Sequence, residues 1–204
     1  MINIYYTYLP SAGKAGLLIA GNPAIGRQLA RAPRTGDLPS FVAGRWLLAQ
    51  ILATMQVPYS LDDIRFNEAG RPAFPGPPHF SISHSGNLAV CAIAPHTIGI
   101  DLEQEKEIAL PDFEDYFSRE EWAAIRRSAT PYADFYRAWT AKEAILKADG
   151  TGPDAFPEIN GLAAVQFRGN SYYLEEIRLE EGYACHVAAT APIRSITVKE
   201  LSIP

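Results

Sequence analysis

NLAVCAIAPHTIGIDLE, residues 87–103, contains the two strands around which the rest of the chain can be arranged. Residues 87–94 are almost wholly apolar, which predicts a central strand buried on both faces. Residues 98–102 predict a further strand that ends in acids. Because residues two apart on a strand share a face, Asp101 and Glu103 are expected to present their carboxylates together.

Two neighbouring carboxylates at a strand end repel each other unless a cation or a basic group lies between them. Mg²⁺ prefers hard oxygen ligands and often takes one or two carboxylates together with substrate phosphates. The pair Asp101 and Glu103 therefore suggests a magnesium site. The alternative is a solvated strand end, which the charged run Glu105, Lys106 and Glu107 resembles.

The remaining elements follow from hydrophobic spacing and capping residues. Ser40 is a candidate N-cap of a helix that Pro58 ends. Ser118 and Glu121 form a capping-box pattern before a helix that reaches residue 127. Further predictions, by residue range, are strands at 2–9, 64–66, 80–83, 164–167, 172–179, 183–188 and 196–201, a helix at 131–149, and mostly loop at 10–38 with a short helix at 24–32.

The two halves of the chain repeat one another weakly at an offset of 94 residues. This offset superposes Phe41, Ile51, Leu52, Cys91 and Ala94 on Phe135, Ile145, Leu146, Cys185 and Ala188. A helix and a strand that share one offset indicate a duplicated unit. We expect an α+β fold of two similar lobes related by a pseudo-twofold axis, with residues 1–98 in one lobe, 99–204 in the other, and the active site between them.

Composition narrows the class of protein. A formal net charge of -5 argues against a generic nucleic-acid binder, which is usually basic. Cys91 and Cys185 lack the spacing of a zinc site and are expected to be buried strand thiols. The start of the chain does not resemble a secretory signal, and its apolar runs are short. We therefore expect a cytoplasmic, monomeric protein that binds neither membrane nor nucleic acid.

A second group of chemically active residues lies in WTAKEAILK, residues 139–147. On a helix, Trp139, Glu143 and Lys147 share one face at spacings of four, and Lys142 flanks that face. Taken alone, the pattern is better explained as an exposed Glu–Lys pair. A third segment, FSISHSG at residues 80–86, places a histidine among hydroxyls where a phosphate could bind, although an ordinary turn has the same composition.

Taken together, these segments resemble the 4'-phosphopantetheinyl transferase family, in particular its larger pseudo-dimeric type that activates peptide and siderophore synthetases. The matching motifs are FNEAGRP at 66–72, FSISHS at 80–85, GIDLE at 99–103 and WTAKEAILK at 139–147. They occur in the family's order, and the resemblance runs from about residue 44 to residue 152. It implies transfer of 4'-phosphopantetheine from coenzyme A to a serine of an acyl or peptidyl carrier protein, with release of adenosine 3',5'-bisphosphate.

The resemblance also implies roles for individual residues. The implied Mg²⁺ ligands are Asp101, Glu103 and Glu143. The implied coenzyme A contacts are Arg45, Arg71, Ser83, His84, Lys142 and Lys147, with Ser83 and His84 at the 3'-phosphate. The catalytic residues would be Glu143, as the base that acts directly or through a metal-bound water, and Lys147. Which carrier protein is modified stays open.

The sequence departs from the family in two places. Only Arg27, Arg31 and Arg34 offer further upstream basic side chains, and they do not align with the family's. The loop Gly150–Thr151–Gly152 lacks the lysine that often stands between its glycines.

The competing interpretations of the function are a non-catalytic carrier- or coenzyme-binding module and a Mg²⁺-dependent nucleotide hydrolase. The predicted helix over residues 119–127, with Arg119, Arg126 and Arg127, is a candidate docking surface for an acidic carrier.

Overall fold

The computed structural model describes residues 1–32, 37–150, 154–159 and 164–204, and within these ranges the chain forms ten strands and five α-helices. The strands are β1 (Ile2–Tyr8), β2 (Arg65–Phe66), β3 (Pro72–Ala73), β4 (His79–Ser85), β5 (Leu88–Ala94), β6 (Ile98–Gln104), β7 (Ala164–Phe167), β8 (Asn170–Glu176), β9 (Tyr183–Ala189) and β10 (Ile196–Glu200). The helices are α1 (Ala12–Gly21), α2 (Pro23–Arg31), α3 (Leu38–Met55), α4 (Arg119–Arg127) and α5 (Pro131–Asp149), with short 3₁₀ helices at Leu61–Asp63 and Leu110–Tyr116.

The strands form two four-stranded sheets, and the α+β class is confirmed. The first sheet has the order β10-β1-β5-β4 and the second the order β6-β9-β8-β7, while β2 and β3 make a separate hairpin. Helix α3 packs on the outer face of the first sheet and α5 on the outer face of the second. The inner faces of the two sheets meet in a core that contains Ile4, Val90, Ile100 and Val187.

Strand β5 lies inside the first sheet, and all seven of its residues are buried, as predicted. Cys91 and its alternate neighbours pack under α3, whereas Val90 and its alternate neighbours face the second sheet. Cys185 is likewise buried, and both thiols are free, as expected. Continuous apolar character is therefore explained by burial on both faces.

Helix α1 contradicts the predicted loop over residues 10–38. Its N-cap is Ser11, whose hydroxyl accepts a hydrogen bond from the amide of Lys14, and it packs on α3. Its glycines Gly13, Gly16 and Gly21 lower the intrinsic helix propensity of the segment, so packing on α3 stabilises a helix that local sequence alone does not favour. The predicted short helix in this region is present as α2.

The N-cap assigned to α3 from sequence is also wrong. Asp37 is the N-cap, and its carboxylate accepts hydrogen bonds from the Ser40 amide at 3.1 Å and the Ser40 hydroxyl at 2.6 Å. Ser40 is thus a third-position partner of the cap. By length and composition α3 could cross a membrane, but 56% of it is buried inside the protein, as for a core helix.

The starts of α4 and α5 agree with the sequence. Ser118 and Glu121 form the reciprocal hydrogen bonds of a capping box. Pro131 opens α5, and Gly150, with φ of 79°, ends it in the left-handed conformation that glycine adopts readily. These two ends fix the length of the helix that carries residues 139–147.

The order of elements repeats between the two halves. β1, α3, β4 and β5 in the first half correspond to β6, α5, β8 and β9 in the second, and the matching strands are adjacent in the same order, β1-β5-β4 and β6-β9-β8. This topology agrees with duplication. The last strand, β10, pairs in parallel with β1 and so belongs to the sheet of the first half. The pseudo-twofold relation and a lobe boundary between residues 98 and 99 stay predictions.

Candidate functional site

The acid pair of the second sheet faces helix α5. Ile100 and Leu102 of β6 point into the core between the sheets, so Asp101 and Glu103 lie on the opposite face. Asp101 is buried at 3% exposure, and its Oδ1 lies 2.6 Å from the Nζ of Lys147 on α5. The two predicted motifs, distant in sequence, therefore meet through an ion pair.

A glycine lets α5 approach β6 this closely. A Cβ on Gly99 would lie 2.1 Å from the carbonyl oxygen of Ala144 and 2.4 Å from the amide nitrogen of Ala148. Since both atoms belong to the main chain of α5, any side chain at position 99 would collide with the helix. Sequence analysis did not single out this role of Gly99, although a glycine inside a strand is a known signal of close backbone approach.

Two acids of the site have a raised pKa. Burial raises the pKa of Glu103. Burial also raises the pKa of Glu143, and the neighbouring Asp101 and Glu103 raise it further, while Lys147 opposes the shift. The charges of Asp101, Glu103 and Glu143 therefore act on one another across the gap between β6 and α5.

The carboxylates of Asp101, Glu103 and Glu143 interact electrostatically, but they do not form a closed metal cage in this structure. In the described ranges, no group of three or more His, Cys, Asp or Glu side chains is arranged to hold a metal ion as it stands. Asp101 nevertheless has a buried Oδ2 with no hydrogen-bond partner among the described residues. A buried carboxylate oxygen without a partner is costly, and a cation is the kind of partner that would satisfy it.

A cleft of about 320 Å³ opens beside these acids. Glu143 and Lys147 line one side, Arg71 the hairpin side, and Ile82 and Leu146 supply apolar surface. A mostly apolar cleft with a few charged groups at one end is typical of a binding site for a small molecule.

Arg71 lines the cleft, and its side chain bonds to main-chain carbonyl groups of neighbouring elements. Its guanidinium donates to the carbonyl oxygens of Ala148 and Ile98, each at 2.9 Å. These bonds link the β2–β3 hairpin to the last turn of α5 and to the start of β6. Arg71 thus lines the cleft and supports the helix that carries Lys147, and its predicted contact with coenzyme A stays a prediction.

Arg45 lies in a second cavity, of about 170 Å³, which His84 and Phe41 also line. The Arg45 side chain is 6% exposed, and its guanidinium stacks 4.9 Å from the centre of the Phe41 ring. Burial lowers its pKa to about 10, and its Nε has no hydrogen-bond partner within the described part of the chain. A buried, unpaired guanidinium is a strong candidate anion-binding group.

Ser83 and His84 do not share a site. They are neighbours on β4 and point to opposite faces of the strand. His84 is exposed beside the Arg45 cavity, and its pKa is lowered by desolvation and by Lys147. Ser83 is buried and contacts Asp101 and Lys147, at 2.9 and 2.8 Å. Of the predicted 3'-phosphate pair, only His84 faces the cavity with the free guanidinium.

Lys142 also lies apart from the cleft. It is 1% exposed, and its Nζ donates to Glu121 at 2.8 Å and to the carbonyl oxygen of Pro157 at 2.5 Å. Glu121 additionally accepts a hydrogen bond from the amide of Ile159. In this conformation Lys142 is the centre of a buried network between α4, α5 and residues 157–159, with no open side toward a coenzyme.

Trp139, which shares the helix face of Glu143, belongs to a group of packed aromatic rings. Its centroid lies 5.6 Å from those of Phe113 and Phe156 and 5.9 Å from that of Phe135. The ring packing fixes the N-terminal half of α5, so its role here is structural.

The predicted docking helix α4 exposes its three arginines together with Glu120 and Ala124. Trp122 and Ile125 are 5% and 4% exposed and pack toward α5, whereas Arg119, Arg126 and Arg127 are exposed. The upstream arginines Arg27 and Arg31 bond to residues 62–64, with Arg27 paired to Asp62 at 2.7 Å. Arg34 and the loop residues Thr151 and Gly152 lie outside the described residues.

Comparison with known proteins agrees with these features. A family model described as the 4'-phosphopantetheinyl transferase superfamily matches residues 97–195, which include β6 and α5. The 4'-phosphopantetheinyl transferase Sfp of Bacillus subtilis (strain 168) is 33% identical over 171 residues, 74% of this chain and 75% of that protein. The 4'-phosphopantetheinyl transferase ffp of Bacillus subtilis is 36% identical over 169 residues, 74% of this chain and 75% of that protein. The L-aminoadipate-semialdehyde dehydrogenase-phosphopantetheinyl transferase of Homo sapiens is 27% identical over 166 residues, 72% of this chain and 54% of that protein.

Proposed function

Because this chain belongs to the 4'-phosphopantetheinyl transferase superfamily, we propose that it transfers the 4'-phosphopantetheine arm of coenzyme A to a serine of a carrier protein, with Mg²⁺ held by Asp101, Glu103 and Glu143. The serine oxygen forms a new bond to the phosphorus next to pantetheine. The phosphoanhydride bond breaks, and adenosine 3',5'-bisphosphate leaves. The reaction converts an apo carrier into its holo form.

One observation carries the proposal: among the described residues, Oδ2 of Asp101 is buried without a hydrogen-bond partner, and Asp101 interacts with Glu103, Glu143 and Lys147, the last two of which line the cleft. Buried like charges are unfavourable in the empty protein. They become favourable when a divalent cation and a polyphosphate add the missing charges of both signs. This balance also explains how a protein of net charge -5 can bind a polyanion.

The three carboxylates supply the hard oxygen donors that Mg²⁺ prefers. Lys147 and Ser83 hold Oδ1 of Asp101, at 2.6 and 2.9 Å, so Oδ2 would be the oxygen of Asp101 that receives the ion. An ion held by these residues would supply positive charge to the pyrophosphate and to the leaving group. Lys147 lines the cleft, and its ammonium group could donate a further hydrogen bond to the phosphate oxygens.

Glu143 is proposed as the group that accepts the proton of the carrier serine. Its pKa is raised by burial and by Asp101, and a base is most effective when its pKa approaches the operating pH. It lines the cleft together with Lys147. The serine hydroxyl and the phosphate can therefore meet between one proton acceptor and one cation.

The nucleotide end of coenzyme A is assigned to the second cavity. The buried guanidinium of Arg45, whose Nε has no hydrogen-bond partner among the described residues, and the imidazole of His84 line it together, which favours the 3'-phosphate as the anion bound there. Arg71 lies on the hairpin between the two cavities, and the part of its side chain that lines the first cleft could also contact coenzyme A. Lys142 has no part in this proposal because Glu121 and Pro157 already occupy its ammonium group.

The carrier is proposed to dock near α4, whose exposed arginines suit an acidic partner. Cytoplasmic location, a monomeric state and the absence of nucleic-acid or membrane binding belong to the same proposal. The class of carrier is left open between fatty-acid, polyketide and peptide-synthetase carriers.

Intact-mass spectrometry tests the function directly. The protein is incubated with coenzyme A, Mg²⁺ and a panel of apo carriers, and each carrier is weighed with and without EDTA. Without EDTA, we expect the mass of the carrier to increase by one phosphopantetheine arm. With EDTA, we expect no increase. Release of pantetheine phosphate without a carrier would identify a hydrolase, and binding of coenzyme A with no product would identify a non-catalytic module.

A further inference from the structure

Strands β4 and β6 meet through serine side chains. Each is the outer strand of its own sheet, and the two do not pair in a common ladder. The amides of Ile100, Leu102 and Gln104 instead donate to the hydroxyls of every second residue of β4. The three bonds are Ile100 to Ser81 at 3.1 Å, Leu102 to Ser83 at 3.3 Å and Gln104 to Ser85 at 3.1 Å.

Two of the three serines have an additional bond to a proposed metal ligand. Ser83 donates its hydroxyl proton to Oδ1 of Asp101 at 2.9 Å, and Ser85 donates to Oε2 of Glu103 at 2.7 Å. Ser81 has the same bond to the β6 main chain, and no carboxylate accepts its proton among the described residues. All three serines thus face β6 and accept one of its amides. Ser83 and Ser85 differ from Ser81 in that each also donates to a carboxylate.

Ser83 uses its full hydrogen-bonding capacity. A hydroxyl has one proton to donate and two lone pairs to accept. The proton goes to Asp101, while the lone pairs accept from the amide of Leu102 and from the Nζ of Lys147 at 2.8 Å. Because all three bonds are formed at a buried residue, the hydroxyl leaves little rotational freedom to the Asp101 carboxylate.

We propose that Ser83 and Ser85 are positioning residues that hold Asp101 and Glu103 in the orientation that receives the metal, with Ser83 as the main one. With Oδ1 fixed by Ser83, Oδ2 of Asp101 is the oxygen that stays unpartnered. This inference rests on the proposed function, since it assumes that these carboxylates bind the cation. It gives Ser83 a role other than contact with the 3'-phosphate.

The test is the affinity of the full-length protein for Mn²⁺ without coenzyme A, measured from the EPR signal of the free ion. Loss of a group that orients a metal ligand typically weakens metal affinity by about 10- to 100-fold. We expect a loss of this size for Ser83→Ala and a clear loss for Ser85→Ala. Ser81→Ala is the matched control: it loses the same kind of main-chain bond, and its Kd for Mn²⁺ should stay close to that of the wild-type protein.

Thermal melting separates positioning from folding. Ser81→Ala and Ser83→Ala each remove one acceptor of a β6 amide. Ser83→Ala also removes the bonds to Asp101 and Lys147 and should lower the melting temperature further, but both variants should remain folded at the temperature of the binding assay, and only Ser83→Ala should weaken Mn²⁺ binding. Equal Mn²⁺ affinities for these two variants would overturn the inference. If Ser83→Ala does not fold, Ser85→Ala decides, and an unchanged Kd for that variant would overturn it.

Asp101→Ala distinguishes failure of this inference from failure of the proposed function. When Asp101→Ala loses Mn²⁺ binding but the serine variants keep it, only the positioning role is wrong. Wild-type protein that binds no Mn²⁺, or Asp101→Ala that binds it normally, would contradict the metal assignment and the inference with it.

Discussion

Replacing Gly99 with alanine tests whether the close contact between β6 and α5 sets the geometry of the site. The added Cβ would lie 2.1 Å from the Ala144 carbonyl oxygen, where an ordinary contact begins at 3.4 Å. The two atoms must therefore separate by about 1.3 Å. Because the obstructing atoms are main chain, the helix must move as a unit.

The displacement has a cost in stability and a larger cost in activity. Overpacking a buried position typically costs about 1–3 kcal/mol, and we expect ~3 kcal/mol here because no flexible side chain can give way. The ion pair between Lys147 and Asp101, now 2.6 Å long, would be stretched beyond hydrogen-bonding distance. A misplacement of about 1 Å can reduce a rate by about 100-fold, so we expect a loss of transfer of at least that order.

Urea denaturation and the transfer rate measure the two effects, and Gly16→Ala provides the control. Gly16 lies in α1, and a Cβ there would meet nothing within 4 Å. Alanine is favoured over glycine inside a helix by about 0.5–1 kcal/mol, so the control should gain slight stability and keep its activity. A Gly99→Ala protein with wild-type stability and wild-type transfer would refute the close-packing argument.

Three further substitutions test other assignments. Lys142→Met leaves the charge of Glu121 buried without its partner, so we expect a loss of about 3–5 kcal/mol in the free energy of unfolding, with little change in the KM for coenzyme A; a raised KM at unchanged stability would instead support the phosphate role. Glu143→Gln should abolish transfer. Glu143→Gln should also increase the free energy of unfolding of the metal-free protein, because the raised pKa of Glu143 means that its charged form destabilises the fold. This gain in stability over the wild-type protein should grow as the pH rises above 4.5. A gain that does not change with pH in EDTA, or a loss of stability, would contradict this. His84→Ala should raise the KM for coenzyme A about tenfold or more, since a hydrogen bond to a charged group contributes roughly 1.5–3 kcal/mol, and should leave the KM for dephospho-coenzyme A nearly unchanged; equal rises for both substrates would remove His84 from the 3'-phosphate.

The local sequence pattern was sufficient to predict those strands and helices whose own residues determine their structure. The apolar run of β5 predicted a strand buried on both faces, and the residues Ser118 and Glu121 predicted the start of α4. Helix α1 could not be predicted in the same way, because its glycines disfavour a helix and packing on α3 overrides them. The cap of α3 was displaced by three residues because Ser40 and Asp37 are both good capping residues.

The candidate site shows the same division between local and long-range information. Strand alternation was enough to place Asp101 and Glu103 on one face, and it could also have separated Ser83 from His84. Successive helix residues point about 100° apart, so Lys142 and Glu143 are expected to point in different directions from α5. That Lys142 would instead pair with Glu121 depends on how α4 packs on α5, which no local pattern specifies.

Anomalous diffraction from a crystal soaked with Mn²⁺ and coenzyme A tests the central claim most directly. The account predicts one peak among the carboxylates of Asp101, Glu103 and Glu143, with oxygen distances of about 2.1 Å and with Lys147 in contact with the phosphates. A peak at other residues, in a protein that transfers the arm in solution, would contradict the assignment of the site.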